Sequence, residues 1–208
     1  MPTAQSFWDK AAEKYAASPI KDMDAYEATL ARVRAHLNAG DAVLEIGCGT
    51  GTTALKLADT GADITATDIS EKMIAIAEGK RAAAGVSTVR FRQATLDNHG
   101  LGERAFDVAL SFNLLHLVGD VPAALREIGK LLKPGGLFIS KTACLTDSMG
   151  YLKLILPVMR LFGKAPDTVH FFRTEDLDRM IEAAGFELIE TGYYPEKTRS
   201  RFIVARKR

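Results

Sequence analysis

The stretch Val43-Leu-Glu45-Ile-Gly47-Cys48-Gly49-Thr-Gly51 constrains this chain more than any other. An aliphatic run, 42–46, leads straight into three glycines at alternate positions. Helical spacing then resumes at Ala54, Leu55, Leu57 and Ala58. The order is strand, tight turn, helix. Glycine accepts positive φ and lets a ligand come close to the backbone. In a doubly wound sheet, ligands bind where the strand order reverses. The spacing also excludes a common variant. A G-x-G-x-x-G loop starting at Gly47 needs glycine at 52, and that residue is Thr52. Here the pattern is E-x-G-x-G-x-G. A carboxylate just ahead of the glycines suits a ligand carrying an ammonium or sulfonium better than one carrying pyrophosphate.

The rest of the chain alternates around this junction. Strand patterns occur at 42–46, 63–67, 88–93, 106–112 and 137–142, with helical patterns between them, including one over about 120–132 that is stopped by Pro134-Gly135-Gly136. Apolar βαβαβ runs predict a parallel sheet covered by helices on both faces. Two helices, over about 3–17 and 22–38, precede the first strand. At the other end Thr174 is expected to cap a helix running to Gly185. The strands 186–194 and 201–206 follow, and their short connection implies an antiparallel hairpin. The expectation is one α/β domain over 1–208. It has a helical cap (1–40), a cofactor-binding core (41–142), a segment in the position of a substrate lid (143–172), and a C-terminal helix and hairpin (173–208). Within that third segment, 148–163 reads as an amphipathic helix broken near Pro157.

Composition narrows the partners. Twenty-seven Lys+Arg against 26 Asp+Glu leave a formal charge of +1 over 208 residues, which argues against a whole-protein field for nucleic acid. The basic cluster Lys197, Arg199, Arg201, Arg206, Lys207 and Arg208 decorates a hairpin and a terminus, and reads as a solvated surface. Two cysteines, Cys48 and Cys144, make neither a disulfide framework nor a zinc site, and no metal site is expected. The most apolar stretch, 151–163, is too short to span a bilayer. Contact with a membrane surface is the weaker alternative to simple packing there. The expected location is a reducing cytoplasm.

Asp68 ends the second strand, 17 residues after Gly51. A carboxylate there can accept both hydroxyls of a ribose. Together with Glu45 it calls for an adenosine with a cationic, amino-acid-like tail.

On these residues the sequence resembles the class I S-adenosylmethionine-dependent methyltransferases, in the small-molecule group that includes quinone-biosynthesis enzymes. VLEIGCGTG resembles the family's first motif and ITATDIS its second. FDVALSFNLLHLV resembles the fourth-strand motif, LLKPGG the turn before strand five, and FRTEDLDRMIEAAGFE the last helix and start of strand six. The resemblance implies a Rossmann-like, seven-stranded sheet that is mostly parallel with an antiparallel C-terminal hairpin strand. It implies S-adenosyl-L-methionine as cofactor, S-adenosyl-L-homocysteine as product and a small-molecule acceptor. Gly47, Cys48, Gly49 and Gly51 would then pass along the methionine part, with Glu45 beside them. Asp68 would hold the ribose, Ile69 would pack on adenine, and Asn113 would lie near the methionine end. The family often has an acid after strand three; Thr95 stands there, with Leu96 next and Asp97 close by. Tyr15, seven residues after Trp8 on the first helix, is expected against the methionine tail. His116 and His170 are the candidate catalytic bases.

The acceptor is narrowed as well. Ser111-Phe-Asn-Leu114 lacks the Asn/Asp-Pro-Pro-aromatic run of enzymes that methylate nucleobase amines, and neither cysteine has the setting of a cytosine-C5 nucleophile. The acceptor reads as small and amphipathic or lipidic. Two other classes remain open at this point. One is a protein that binds S-adenosylmethionine without turnover; the other is a nicotinamide-dependent oxidoreductase with a variant glycine loop.

Overall fold

The computed structural model describes residues 3–146, 152–161, 165–195 and 200–208, with only the backbone described at 152–154. Two helices, α1 (Ala4–Ala17) and α2 (Met23–Arg34), precede the sheet. Each starts on a side-chain cap: Thr3 accepts from the Ser6 N–H and Asp22 from the Ala25 N–H. The core then runs β1 (Ala42–Ile46), α3 (Thr52–Leu57), β2 (Asp63–Asp68), α4 (Glu71–Ala84), β3 (Val89–Gln93), β4 (Phe106–Phe112), α5 (Val121–Leu131) and β5 (Leu132–Ala143). After it come α6 (Leu152–Leu161), α7 (Thr174–Ala183), β6 (Phe186–Tyr193) and β7 (Ser200–Lys207).

The seven strands form one sheet in the order β3-β2-β1-β4-β5-β7-β6. The first five pair in parallel, and β7 joins antiparallel to both β5 and β6. The chain winds outward from β1 in one direction and from β4 in the other, so the switch point lies between β1 and β4, directly above the glycine turn.

Strand alternation divides the core into two layers. Leu44, Ile46, Ala109 and Phe138 face α5 and α7, packing on Leu125, Ile128, Leu177 and Ile181. Val43, Val108, Leu110 and Ile139 face the other way, towards Leu30 and Val33 of α2 and Leu57 of α3. This parity decides which layer each strand-end polar residue meets.

Several boundaries differ from the sequence pattern. Strand β5 begins at Leu132, so Pro134-Gly-Gly lies inside it, and its pairing with β4 shifts register between Phe106 and Val108. The Pro-Gly-Gly run ends α5 as expected, but the chain turns at once into the sheet. Helix α2 stops at Arg34 and continues as a turn, with Leu37 N–H bonded to the Arg34 carbonyl. Thr174 is not the cap of α7: Arg173 holds the extended capping position with no side-chain bond, and Thr174 is a buried first residue. Helix α6 continues through Pro157 without the expected break. A proline inside a helix removes one backbone bond, and the rest of this helix persists around it. Residues 147–151 and 162–164 of the expected lid, and Lys197 and Arg199 of the basic cluster, lie outside the described residues.

Candidate cofactor and active site

The turn after β1 carries three left-handed glycines: Gly47 (φ 70°), Gly49 (φ 54°) and Gly51 (φ 73°). Their reasons differ. A Cβ at Gly51 would meet the Phe91 ring at 2.5 Å, so this glycine serves packing beneath the loop. A Cβ at Gly49 would sit in contact with the Tyr15 ring, at 3.5 Å. Gly47 and Gly49 line the main cavity, whereas Gly51 lines neither of the two cavities described here.

Asp68 is held by its neighbours before any ligand arrives. Oδ2 accepts from the Gly49 N–H and Oδ1 from the Ser70 N–H, both at 2.9 Å. Burial, reinforced by Asp9, holds its carboxyl above the usual range, and the two backbone donors oppose this only in part. Asp68 lines the main cavity, and each carboxylate oxygen can accept a further hydrogen bond. Ser70 caps α4 and passes its own hydroxyl proton to Asp9 of α1 at 2.6 Å. The N-terminal helix is thereby tied to the start of α4, beside Asp68.

Glu45 behaves differently. It points into the α2 layer, is 2% exposed, and its Oε2 has no hydrogen-bond partner. Burial holds its carboxyl up at about 8, opposed by a hydrogen bond from the Ala54 N–H and reinforced by Asp68. A buried acid with an unpartnered oxygen is costly unless something completes it. A ligand ammonium would do so.

The main cavity measures about 1070 Å³ and a second about 600 Å³. Tyr15, Gly47, Phe112 and Asn113 line both, so the two meet at the switch point. The main cavity brings together Asp68, Ile69, Thr95, Leu96, Asp97, Asn113 and His116. Glu45 and Cys48 line the second one. Thr95 Oγ1 accepts from the Asn98 N–H at 3.1 Å, which fixes the turn after β3. Asn113 sits at φ 54°, a left-handed conformation asparagine tolerates better than most residues. Cys48 is buried, and its thiol is pushed well up, first by desolvation and then by Glu45 and Asp68. That suits a packing residue, not a nucleophile.

Tyr15 is 53% exposed and leans over Gly49. Its phenol is pushed up, first by its crowded surroundings and then by Asp68 and Glu45. His116 lines the main cavity with Nδ1 buried and unpartnered. Burial, with His170 nearby, lowers its imidazole to about 4, so it is neutral at physiological pH. His170 lies outside the lining. Its Nε2–H donates to the Val118 carbonyl at 2.7 Å, and its ring stacks on Phe172. Its backbone N–H also donates to the His116 carbonyl at 2.7 Å, which pins the loop after β4.

Sequence reasoning missed Lys141, Thr29 and Tyr26, which line the second cavity, and Asp9, which holds the cap. The parity of β5 could have placed Lys141. Nothing in the sequence pairs Asp9 with Ser70.

The comparisons agree with this geometry. A family profile described as "Methyltransferase domain" matches residues 18–191. The ubiquinone biosynthesis O-methyltransferase of Rhizobium leguminosarum bv. trifolii is 32% identical over 157 residues, 73% of this chain and 62% of that one. Its counterpart in Pseudomonas syringae pv. tomato is 29% identical over 192 residues, covering 89% and 79%. The chain thus spans less than two thirds of the length of the rhizobial relative. Magnesium protoporphyrin IX methyltransferase from Synechocystis PCC 6803, solved with bound S-adenosylhomocysteine, superposes with a TM-score of 0.76 at 20% identity over 98% of each chain. On the family match and the glycine turn it spans, this chain belongs to the methyltransferase-domain family.

Proposed function

We propose that this protein transfers the methyl group of S-adenosyl-L-methionine to an oxygen of a small, amphipathic acceptor and releases S-adenosyl-L-homocysteine. The observation that carries the reading is the pair of carboxylates flanking the glycine turn. Asp68 is preset for a ribose and Glu45 lacks a partner for its buried oxygen. A nicotinamide dinucleotide offers no ammonium to donate to Glu45 and brings a pyrophosphate to its vicinity.

Ile69, Met73, Thr95 and Leu96 would bracket the adenine, and Tyr15 and Asn113 the sulfur end. When bound, S-adenosylmethionine supplies a methyl on a sulfonium, a leaving group already activated by charge. The chain's own task is alignment and exclusion of water. Trp8 from the cap and Leu145, Pro166 and Val169 from the 143–172 segment would close the far end of the main cavity over the acceptor. The apolar wall there, including Leu114, Leu117 and Val118, favours an amphipathic ligand. The relatives' names supply the oxygen as acceptor atom.

His116 is the residue for the acceptor hydroxyl. An imidazole held near 4 is a weak base, so its role is to accept a hydrogen bond and orient the nucleophile. His170 acts through the loop it pins and is a positioning residue. The two buried thiols fit a reducing compartment such as the cytoplasm.

The test is a thermal-shift comparison followed by an acceptor screen. S-adenosylhomocysteine should raise the melting temperature and a nicotinamide cofactor should not. Small phenols should then yield S-adenosylhomocysteine. Stabilisation by the nicotinamide cofactor alone would overturn the reading, and binding with no release across the screen would leave a binding protein without turnover.

A further inference from the structure

The second cavity joins Glu45 to side chains that the cofactor reading leaves unused. Glu45, Phe112 and Lys141 lie at the C-terminal ends of β1, β4 and β5, and Phe112 is the direct cross-strand partner of Lys141. Their parity matches Val43, Leu110 and Ile139, so all three emerge into the α2 layer. There the sheet meets Tyr26 and Thr29 of α2 and the end of α1.

Lys141 is out of place for a core-edge lysine. Its Nζ donates to Thr29 Oγ1 at 3.2 Å and, among the described residues, meets no carboxylate at ion-pair distance. Asp22 lies within its field but spends one oxygen capping α2. Burial lowers the ammonium, with Asp22 only partly opposing this. Lys80 is the other buried-side cation of the cavity, and its Nζ is taken up by Thr50 and Thr52 hydroxyls at 2.9 and 3.2 Å. Two ammonium groups therefore face a cavity in which Glu45 still holds its proton. A lysine with only a neutral hydroxyl for company gains most from an anion.

We propose that the second cavity is a carboxylate subsite, with Lys141 as the residue that takes the anion, one shared wall away from the point of methyl transfer. The inference rests on the methyltransferase reading above. Two sources of carboxylate fit. One is the amino-acid end of the cofactor, whose ammonium would complete Glu45 while its carboxylate meets Lys141. The other is a carboxylate on the acceptor, entering past Tyr26 and Phe112.

Calorimetric titration of the full chain separates them. S-adenosylhomocysteine carries the amino-acid end and 5′-methylthioadenosine lacks it. If the cofactor supplies the anion, Lys141→Met weakens S-adenosylhomocysteine by about tenfold or more, Lys141→Arg restores most of it, and 5′-methylthioadenosine is unaffected by either change. If the acceptor supplies it, S-adenosylhomocysteine binds all variants alike. Benzoate, titrated into protein saturated with S-adenosylhomocysteine, then binds wild type and not Lys141→Met. Lys21→Met removes a charge from the same rim and should reproduce neither effect. The proposal is overturned if Lys141→Met leaves both titrations unchanged, or if Lys21→Met matches it. Should S-adenosylhomocysteine fail to bind wild type at all, the methyltransferase reading falls first. Far-ultraviolet spectra and melting curves confirm that each variant is folded.

Discussion

The two carboxylates beside the glycine turn belong to opposite kinds of site. Asp68 is finished: two backbone N–H groups and the fold of α4 hold it, and Asp9 ties the cap to the same corner. Glu45 is unfinished: it is buried deeper, one oxygen has no partner, and Lys141, at the same end of the sheet, leans on a threonine. In the proposed reading, the adenosine end is organised by the protein itself and the amino-acid end is left for a ligand to complete. Preorganisation lowers the cost of ordering the site on binding. An unsatisfied group stores a penalty that only the right ligand removes, which favours discrimination.

The largest effects should come from breaking the finished half. Gly49→Val places a branched residue at φ 54° with its Cβ facing Tyr15, and Asp68→Ala removes the carboxylate proposed for the ribose while freeing the Gly49 and Ser70 N–H groups. Each should weaken S-adenosylhomocysteine by about a hundredfold or more, the first through a strained and obstructed turn and the second through the loss of two charge-assisted bonds. Calorimetry that finds either variant within a factor of three of wild type would show that the ribose is not held there.

The unfinished half should respond in two opposing ways. Glu45→Gln removes an acid whose proton is held to about pH 8 in the folded chain and is lost in the ordinary carboxylate range when unfolded. Between those values the unfolded wild type has already released its proton, so stability falls as pH rises. The glutamine variant escapes that fall. It should melt higher than wild type by at least about 3 °C at pH 8, with the gap closing towards pH 5. It should also bind S-adenosylhomocysteine about tenfold more weakly, having lost the charge that meets the ammonium. A variant that is neither more stable nor weaker would refute the idea that Glu45 waits for a cation.

The same group sets a pH dependence in the wild type. A bound ammonium favours ionised Glu45, so binding expels its proton over the range below about 8. Affinity should climb as pH rises from about 6 to 8, by at most tenfold per unit, and then level off. Glu45→Gln should flatten the curve. Proton uptake on binding, read from calorimetry in two buffers, would give the opposite sign.

How much of this was written in the sequence follows the same division. The sheet, its hairpin and the glycine turn were legible because each rests on local pattern: period-two apolar runs, Gly at positive φ, and Pro-Gly-Gly after a helix. Asp68 and Glu45 were legible because they sit at fixed offsets from that turn. The reach of β5 back to Leu132 was not, because its pairing with β4 overrides the local turn signal of Pro134. Helix α6 ran on through Pro157 for a like reason, since neighbouring turns hold where one bond is lost. His170 looked like a base by position, but its ring is committed to Val118 and Phe172, contacts made over a separation of 52 residues in the first case. Lys141 was hidden among ordinary strand residues until parity and pairing put it opposite Phe112.

The smallest of the expected effects probes how the cap belongs to the finished half. Ser70 Oγ accepts from the Met73 N–H as the cap of α4 and donates to Asp9, so the hydroxyl links two functions. Asp9→Ala breaks the second, together with the bond Asp9 accepts from the Lys72 N–H, and leaves the Ser70 cap on the Met73 N–H intact. Helix α1 keeps its packing on α4 through Ala12 and neighbours, so stability should stay within about 1 kcal/mol. Affinity for S-adenosylhomocysteine should drop only about threefold, chiefly through faster release, because Trp8 and Tyr15 are then less firmly held over the cavity. Ser70→Ala should reproduce that change and add the loss of a helix cap, about 1 kcal/mol. Stopped-flow release that is unchanged in Asp9→Ala, with the thermal cost confined to Ser70→Ala, would separate the cap from the site. The two backbone bonds to Asp68 would then account for the preset geometry of that corner.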